Sequence, residues 1–212
     1  MTARARIRGR LRDQGGFSLT ELLVAMILAS IFATGLFAFF FSGVDATRTH
    51  ESQARAQADG RTALARLVRE ARQAISPDDG LTSPVVLLSP TELVMYVDPS
   101  RALTATTPRP HKVRWAVVSG RLVRESAAPV GASAPFTYNA YTGRQTMLAP
   151  VQNGATPVFA AATGAGDPLP ATPSAAQLRE VGRIAVRLVV GQRSGGTTST
   201  LELSTDVALR NA

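Results

Sequence analysis

The sequence predicts an α+β fold: one long N-terminal helix followed by an antiparallel β-sheet domain. Three observations carry this. No proline occurs from Phe17 to Ser76, and much of that stretch is rich in Ala, Arg and Gln, which favour helix. Within it, residues 22–41 read LLVAMILASIFATGLFAFFF, 20 residues without a charge. After Pro77 the pattern changes to short runs of alternating apolar residues, separated by Pro, Gly and Ser.

Composition narrows the chemistry. The chain has 212 residues, with 23 Lys+Arg against 15 Asp+Glu, a formal net charge of +8. It has no cysteine, which excludes disulfides, thiolate metal sites and a cysteine nucleophile. Its two histidines, His50 and His111, argue against a multi-histidine metal site. The charge is uneven. Residues 1–16 hold Arg4, Arg6, Arg8, Arg10 and Arg12 against Asp13, and residues 17–42 hold only Glu21. A basic chain suggests nucleic acid when the charge lies on one folded face. Here half of the excess sits in a short tail, which membrane topology explains better.

The first element is therefore a basic segment, 1–16, and the second an apolar helix, 17–42. The uncharged run would be roughly 30 Å long as a helix, one hydrocarbon thickness. A buried core helix would show a polar face, and this segment has none. A secretory signal would have a shorter apolar run and a better small-residue site than Ser42-Gly43-Val44-Asp45. The arginines predict a cytoplasmic N-terminus, with the C-terminal domain on the other side. Glu21 stands at the edge of the apolar block, where a carboxylate is costly and a functional suspect. Its bland alternative is a snorkelling surface carboxylate.

The stretch Gln14-Gly15-Gly16-Phe17-Ser18-Leu19-Thr20-Glu21-Leu22-Leu23-Val24-Ala25-Met26 resembles the processing signal of type IV pilins and type II secretion pseudopilins. The parts stand in order: a basic leader ending in Gly, then Phe, then Glu as the fifth residue after the cut, then an apolar run. The resemblance implies cleavage between Gly16 and Phe17 by a prepilin peptidase and N-methylation of Phe17. The mature chain would keep a side-chain net charge of +4 (18 basic, 14 acidic). It also implies that Glu21 pairs with the N-terminal amine of a neighbouring subunit, since a charge buried in an apolar filament core needs a partner. The implied partners are the peptidase, other major and minor pilins or pseudopilins along helix 17–75, and an inner-membrane assembly platform.

Residues 43–76 read as the soluble half of the same helix. Leu64, Leu67, Val68, Ala71 and Ile75 form one apolar stripe, with Arg55, Arg66, Arg69 and Glu70 mostly off it as a solvated face. Ser76-Pro77 is the expected stop. A helix over 17–75 would span roughly 90 Å, with Gly35, Gly43 and Gly60 as weak points. A long helix half in the membrane and half on a C-terminal sheet is the pilin architecture. The apolar half lacks the proline, and the chain lacks the disulfide loop, that major type IV pilins often carry. Both departures point to a minor pilin or pseudopilin.

Residues 77–212 read as the β-rich domain. Expected strands are Val85–Leu88, Glu92–Asp98, Lys112–Val118, Arg121–Ser126, Phe136–Tyr141, Arg183–Val190 and Thr200–Arg210. Ser119-Gly120 suits a two-residue hairpin turn, which sets Val117 opposite Leu122, Trp115 opposite Arg124 and Arg114 opposite Glu125. That register suggests a cation–π contact for Trp115 with Arg124 and an ion pair for Arg114 with Glu125, Trp115 itself reading as core. Gly191–Thr198 reads as a hairpin loop. Residues 127–176 hold seven of the 13 prolines and read as a long Pro/Ala/Gly-rich loop around one short strand. The hairpin and the closing run Val207–Asn211 resemble PilW-like or J-type (PulJ-like) minor subunits.

No catalytic constellation emerges. No G-x-S-x-G and no glycine-rich phosphate loop occur. Asp78-Asp79 and Asp98 do not fit a calcium-loop spacing, so no metal or cofactor is expected. The expected function is that of a minor pilin or pseudopilin, a structural subunit that initiates or caps a type IV pilus or type II secretion pseudopilus. One rival is a tip binding module for DNA uptake or adhesion, suggested by the arginine surplus. Another, outside the family, is a bitopic, membrane-anchored β-rich protein.

Overall fold

The computed structural model describes residues 18–78, 80–98, 109–131, 133–194 and 197–209. Among the described residues, helix α1 covers Leu19–Arg72 and is followed by ten strands and a short second helix. The strands are β1 (Val85–Ser89), β2 (Glu92–Val97), β3 (His111–Val118), β4 (Arg121–Ala127), β5 (Pro129–Val130), β6 (Thr137–Tyr138), β7 (Thr142–Leu148), β8 (Phe159–Thr163), β9 (Val181–Ser194) and β10 (Thr197–Ala208), with α2 (Ala175–Leu178) before β9. This is the expected α+β architecture: a long N-terminal helix, then antiparallel sheets. The chain divides into two compact units, Met1–Arg48 and Thr49–Ala212.

The described part of the first unit is helical and apolar. Its large side chains are exposed around the whole helix, Phe32 by 75% and Phe39 by 80%. Helix continues through Gly35 and Gly43, where the chain was expected to be weak.

In the second unit, the larger sheet has the order β1-β2-β3-β4-β7 and the smaller one β10-β9-β8, with β5 and β6 paired separately. Ala63, Leu64, Leu67 and Ala71 of α1 share one apolar cluster with Leu93, Met95 and Trp115 of the larger sheet and Phe159, Ile184 and Leu188 of the smaller one. The predicted stripe is thus the buried face, although Val68 and Ile75 are only half-buried. Gly60 is a packing site rather than a weak point. It is buried, and a methyl group there would collide with Leu203 Cδ1 of β10. The helix ends at Arg72, short of Ser76-Pro77. Ala74 instead bridges to Val97, and the Ile75 N–H donates to the Tyr96 carbonyl at 3.0 Å. Pairing with the C-terminal end of β2 ends the helix before proline can.

The β3–β4 hairpin has the predicted register: Arg114↔Glu125, Trp115↔Arg124 and Val117↔Leu122. Ser119 and Gly120 have φ of 51° and 68°, the mirror-image turn that a two-residue hairpin requires. Ile184, Val186, Leu188 and Val190 alternate into the core as expected. Pairing of β9 with β10 continues to Ser194↔Thr197, so most of the expected 191–198 loop is strand.

The largest correction concerns residues 127–176. They supply β7 to the larger sheet and β8 to the smaller one, while the expected strand 136–141 shrinks to Thr137–Tyr138. The segment between β7 and β8 fastens the two sheets. The Val151 N–H donates to the Gly120 carbonyl (2.8 Å) and the Gln152 N–H to that of Val189 (2.7 Å). The Asn153 amide donates to the Arg187 carbonyl (2.7 Å) and accepts from the Val189 N–H (2.8 Å).

Candidate functional site

Gly16 and Phe17, the expected cleavage and methylation positions, lie outside the described residues. Glu21 occupies the first turn of α1, exposed. The local sequence Ser18-Leu19-Thr20-Glu21 starts the helix by capping. The Ser18 hydroxyl accepts the Glu21 N–H at 3.2 Å, and the Ser18 carbonyl accepts the Leu22 N–H at 3.1 Å. A carboxylate in this turn also faces the positive end of the helix dipole. The sequence reading missed this capping role, although Ser-x-x-Glu before an apolar run is its signature.

The apolar segment satisfies its own polar groups. Ser30 Oγ donates to the Ile27 carbonyl (2.7 Å) and Thr34 Oγ1 to the Ser30 carbonyl (2.8 Å). Both hydroxyls are thereby spent on the helix backbone, the arrangement a hydrocarbon surrounding demands. Leu19–Arg72 contains a segment long and apolar enough to cross a membrane. Such a segment anchors a chain to a bilayer through exposed apolar surface, with Glu21 as the one charge within 18–42.

A second polar constellation lies in the 49–212 unit, around Glu70. The sequence placed Glu70 on a solvated face, but it is only 7% exposed. Its Oε1 accepts from Arg124 Nε at 2.8 Å and Arg66 Nε at 3.3 Å, and its Oε2 accepts from Trp115 Nε1 at 2.8 Å. Trp115 is fully buried, as predicted. The expected cation–π contact between Trp115 and Arg124 is replaced by this shared carboxylate. Both donors sit on the face of β3–β4 that meets α1, so one anion there satisfies an indole N–H and a guanidinium together. Register alone revealed Trp115 and Arg124 as neighbours; the identity of the third group needed the helix docked.

On the opposite face, the predicted Arg114–Glu125 pair forms at 2.8 Å. It belongs to a row across four strands, in which Arg114 also meets Glu92 (2.6 Å) and Arg144 meets Glu125 (2.8 Å). Hydrogen bonds to Glu92 and then Glu125 raise the Arg114 pKa. The cation–π contacts here belong to Tyr141, approached by Lys112 (5.9 Å) and Arg114 (6.0 Å). Tyr138 packs on Tyr96 with centroids 5.3 Å apart, and its pKa is pushed up to about 12, first by burial and then by Tyr96 and Asp78. Asp78 is held below the usual carboxylate range, chiefly by the Thr82 hydroxyl, with burial opposing and Ser76 assisting. Among the described residues, no group of three or more His, Asp or Glu side chains is arranged to hold a metal.

Two comparisons bear on the N-terminal segment and the chain. No curated protein matches the chain. Residues 11–37 match the family model of the prokaryotic N-terminal methylation motif, so the segment that holds Gly16, Phe17, Glu21 and most of the apolar run is similar to the prepilin-type signal of type IV pilin-like subunits.

Proposed function

We propose that the chain is a minor pilin or pseudopilin, a structural subunit that initiates or caps a type IV pilus or type II secretion pseudopilus. The observation that carries this reading is the methylation motif over residues 11–37, joined directly to a helix whose apolar surface is exposed all round. In this reading a prepilin peptidase removes residues 1–16 on the cytoplasmic side of the inner membrane. It then methylates the new amine of Phe17, and the apolar half of α1 moves from lipid into a filament of like helices. Lipid and a bundle of apolar helices are similar solvents for leucine and phenylalanine, so that transfer costs little in apolar burial. The charged group at Glu21 is what distinguishes the two environments. It pairs with the Phe17 amine of a neighbouring subunit, and that pairing sets the axial register between helices.

The test is the mass of the mature N-terminal peptide, with and without a prepilin peptidase. A peptidase-dependent, methylated Phe17 terminus is expected. An intact leader would overturn the proposal and leave a membrane-anchored β-rich domain; a cut after the apolar block would overturn it and leave a secreted one. For Glu21→Ala, normal processing and loss of filament incorporation are expected; undiminished incorporation would remove the assembly role of this carboxylate.

A further inference from the structure

Between the last turns of α1 and the larger sheet lies a cavity of about 480 Å³. Arg66, Arg69, Glu70 and Gln73 line it from the helix, and His111 and Arg124 from the sheet. Three guanidiniums therefore share the space with one carboxylate. That carboxylate is already committed to Arg66, Arg124 and Trp115. Arg66 spends a further N–H on Gln145. Arg124 is bound to Glu70 only through Nε, and Arg69 has no ion-pair partner among the described residues. The Arg124 side chain is only 15% exposed, so part of its charge is held away from water. A partly desolvated cation gains more from an incoming anion than an exposed one does. His111 adds a ring N–H donor in either protonation state.

We propose that this cavity binds a doubly charged tetrahedral oxyanion, a phosphate group, through Arg69, Arg124 and His111. The lining sets three guanidiniums against Glu70, with the buried Asp98 carboxylate acting on His111 from nearby, so the cavity as a whole stays positive and favours an anion. Several oxygens also suit donors that converge from a helix and a sheet. Glu70 acts as the positioning residue: it fixes Arg124 and leaves the terminal nitrogens of that guanidinium for the ligand.

The test is calorimetric titration of the full chain in detergent with inorganic phosphate at slightly alkaline pH, where phosphate is a dianion. Ionic strength is held constant with sodium chloride. Saturable binding is expected, weakened about tenfold by Arg69→Gln through loss of a charge-assisted contact. Arg72→Gln, on the same helix but outside the cavity, should bind as the parent does. Both arginines are exposed, so neither substitution disturbs the core. Absence of saturable binding in the parent chain, or equal binding by the two variants, would overturn the proposal.

Discussion

Glu70 shows how one side chain can decide a local structure. Removing a partner from a buried ion pair leaves the other charge stranded, at a cost of about 3 kcal/mol or more. Glu70→Ala should destabilise the 49–212 unit by about that amount, because it strands Arg124 and leaves the buried Trp115 N–H without an acceptor. Trp115→Phe keeps the ion pairs, but it leaves a void at a fully buried site and one Glu70 oxygen without its donor, so it should cost about 2–3 kcal/mol. Urea unfolding measures both losses; a Glu70→Ala cost under about 1 kcal/mol would mean that the ion pairs contribute nothing. Asp78 carries a pH dependence of known sign. Its folded pKa is lowered, so its contribution is present above the unfolded value, about 4, and is lost as pH falls through the folded value. Asp78→Asn should reduce stability at neutral pH and flatten the decline on acidification. Denaturant midpoints followed from neutral to acid pH check this; an unchanged slope would rule it out.

At the scale of elements, close approach matters more than propensity. Alanine in place of glycine adds about 1 kcal/mol to an isolated helix. At Gly60 the methyl group meets Leu203, and overpacking of this kind costs about 1–3 kcal/mol. Gly60→Ala should therefore destabilise, and adding Leu203→Ala should recover part of the loss, as read by a double-mutant cycle. Additive losses would show that the two residues do not touch. Gly182 is less forgiving, because its added carbon would meet the backbone of Gly164 rather than a movable side chain. Periodicity found α1, β1 to β4, β9 and β10 because their apolar residues repeat with one clear period. It missed β8, whose Phe-Ala-Ala-Ala-Thr is poor in strand formers, and β7, whose first five residues are exposed. Both are strands because neighbouring strands offer them ladders, which is a tertiary cause.

At the scale of the molecule, the core and the apolar surface belong to different parts of the chain. Every residue of the buried cluster lies beyond residue 49, whereas the exposed apolar run lies before it. A fragment of residues 49–212 should therefore fold cooperatively and stay soluble without detergent, while the full chain requires detergent. Circular dichroism and light scattering of the two test this. Failure of the fragment to fold would mean that the first unit supplies stability as well as an anchor.

The sequence alone determined what depends on local order: the uncharged run, the basic residues before it, the Gly-Phe-x3-Glu spacing, the helix and the hairpin register. Each is a property of neighbours along the chain, and the match over residues 11–37 rests on the same kind of information. Only the tertiary structure decided that Glu70 is buried, that Gly60 is a contact and that a proline-rich stretch completes two sheets. These facts depend on which surface meets which, and burial changes the meaning of a residue. On a bare helix Glu70 is one more solvated charge; against Trp115 and Arg124 it is the acceptor both require.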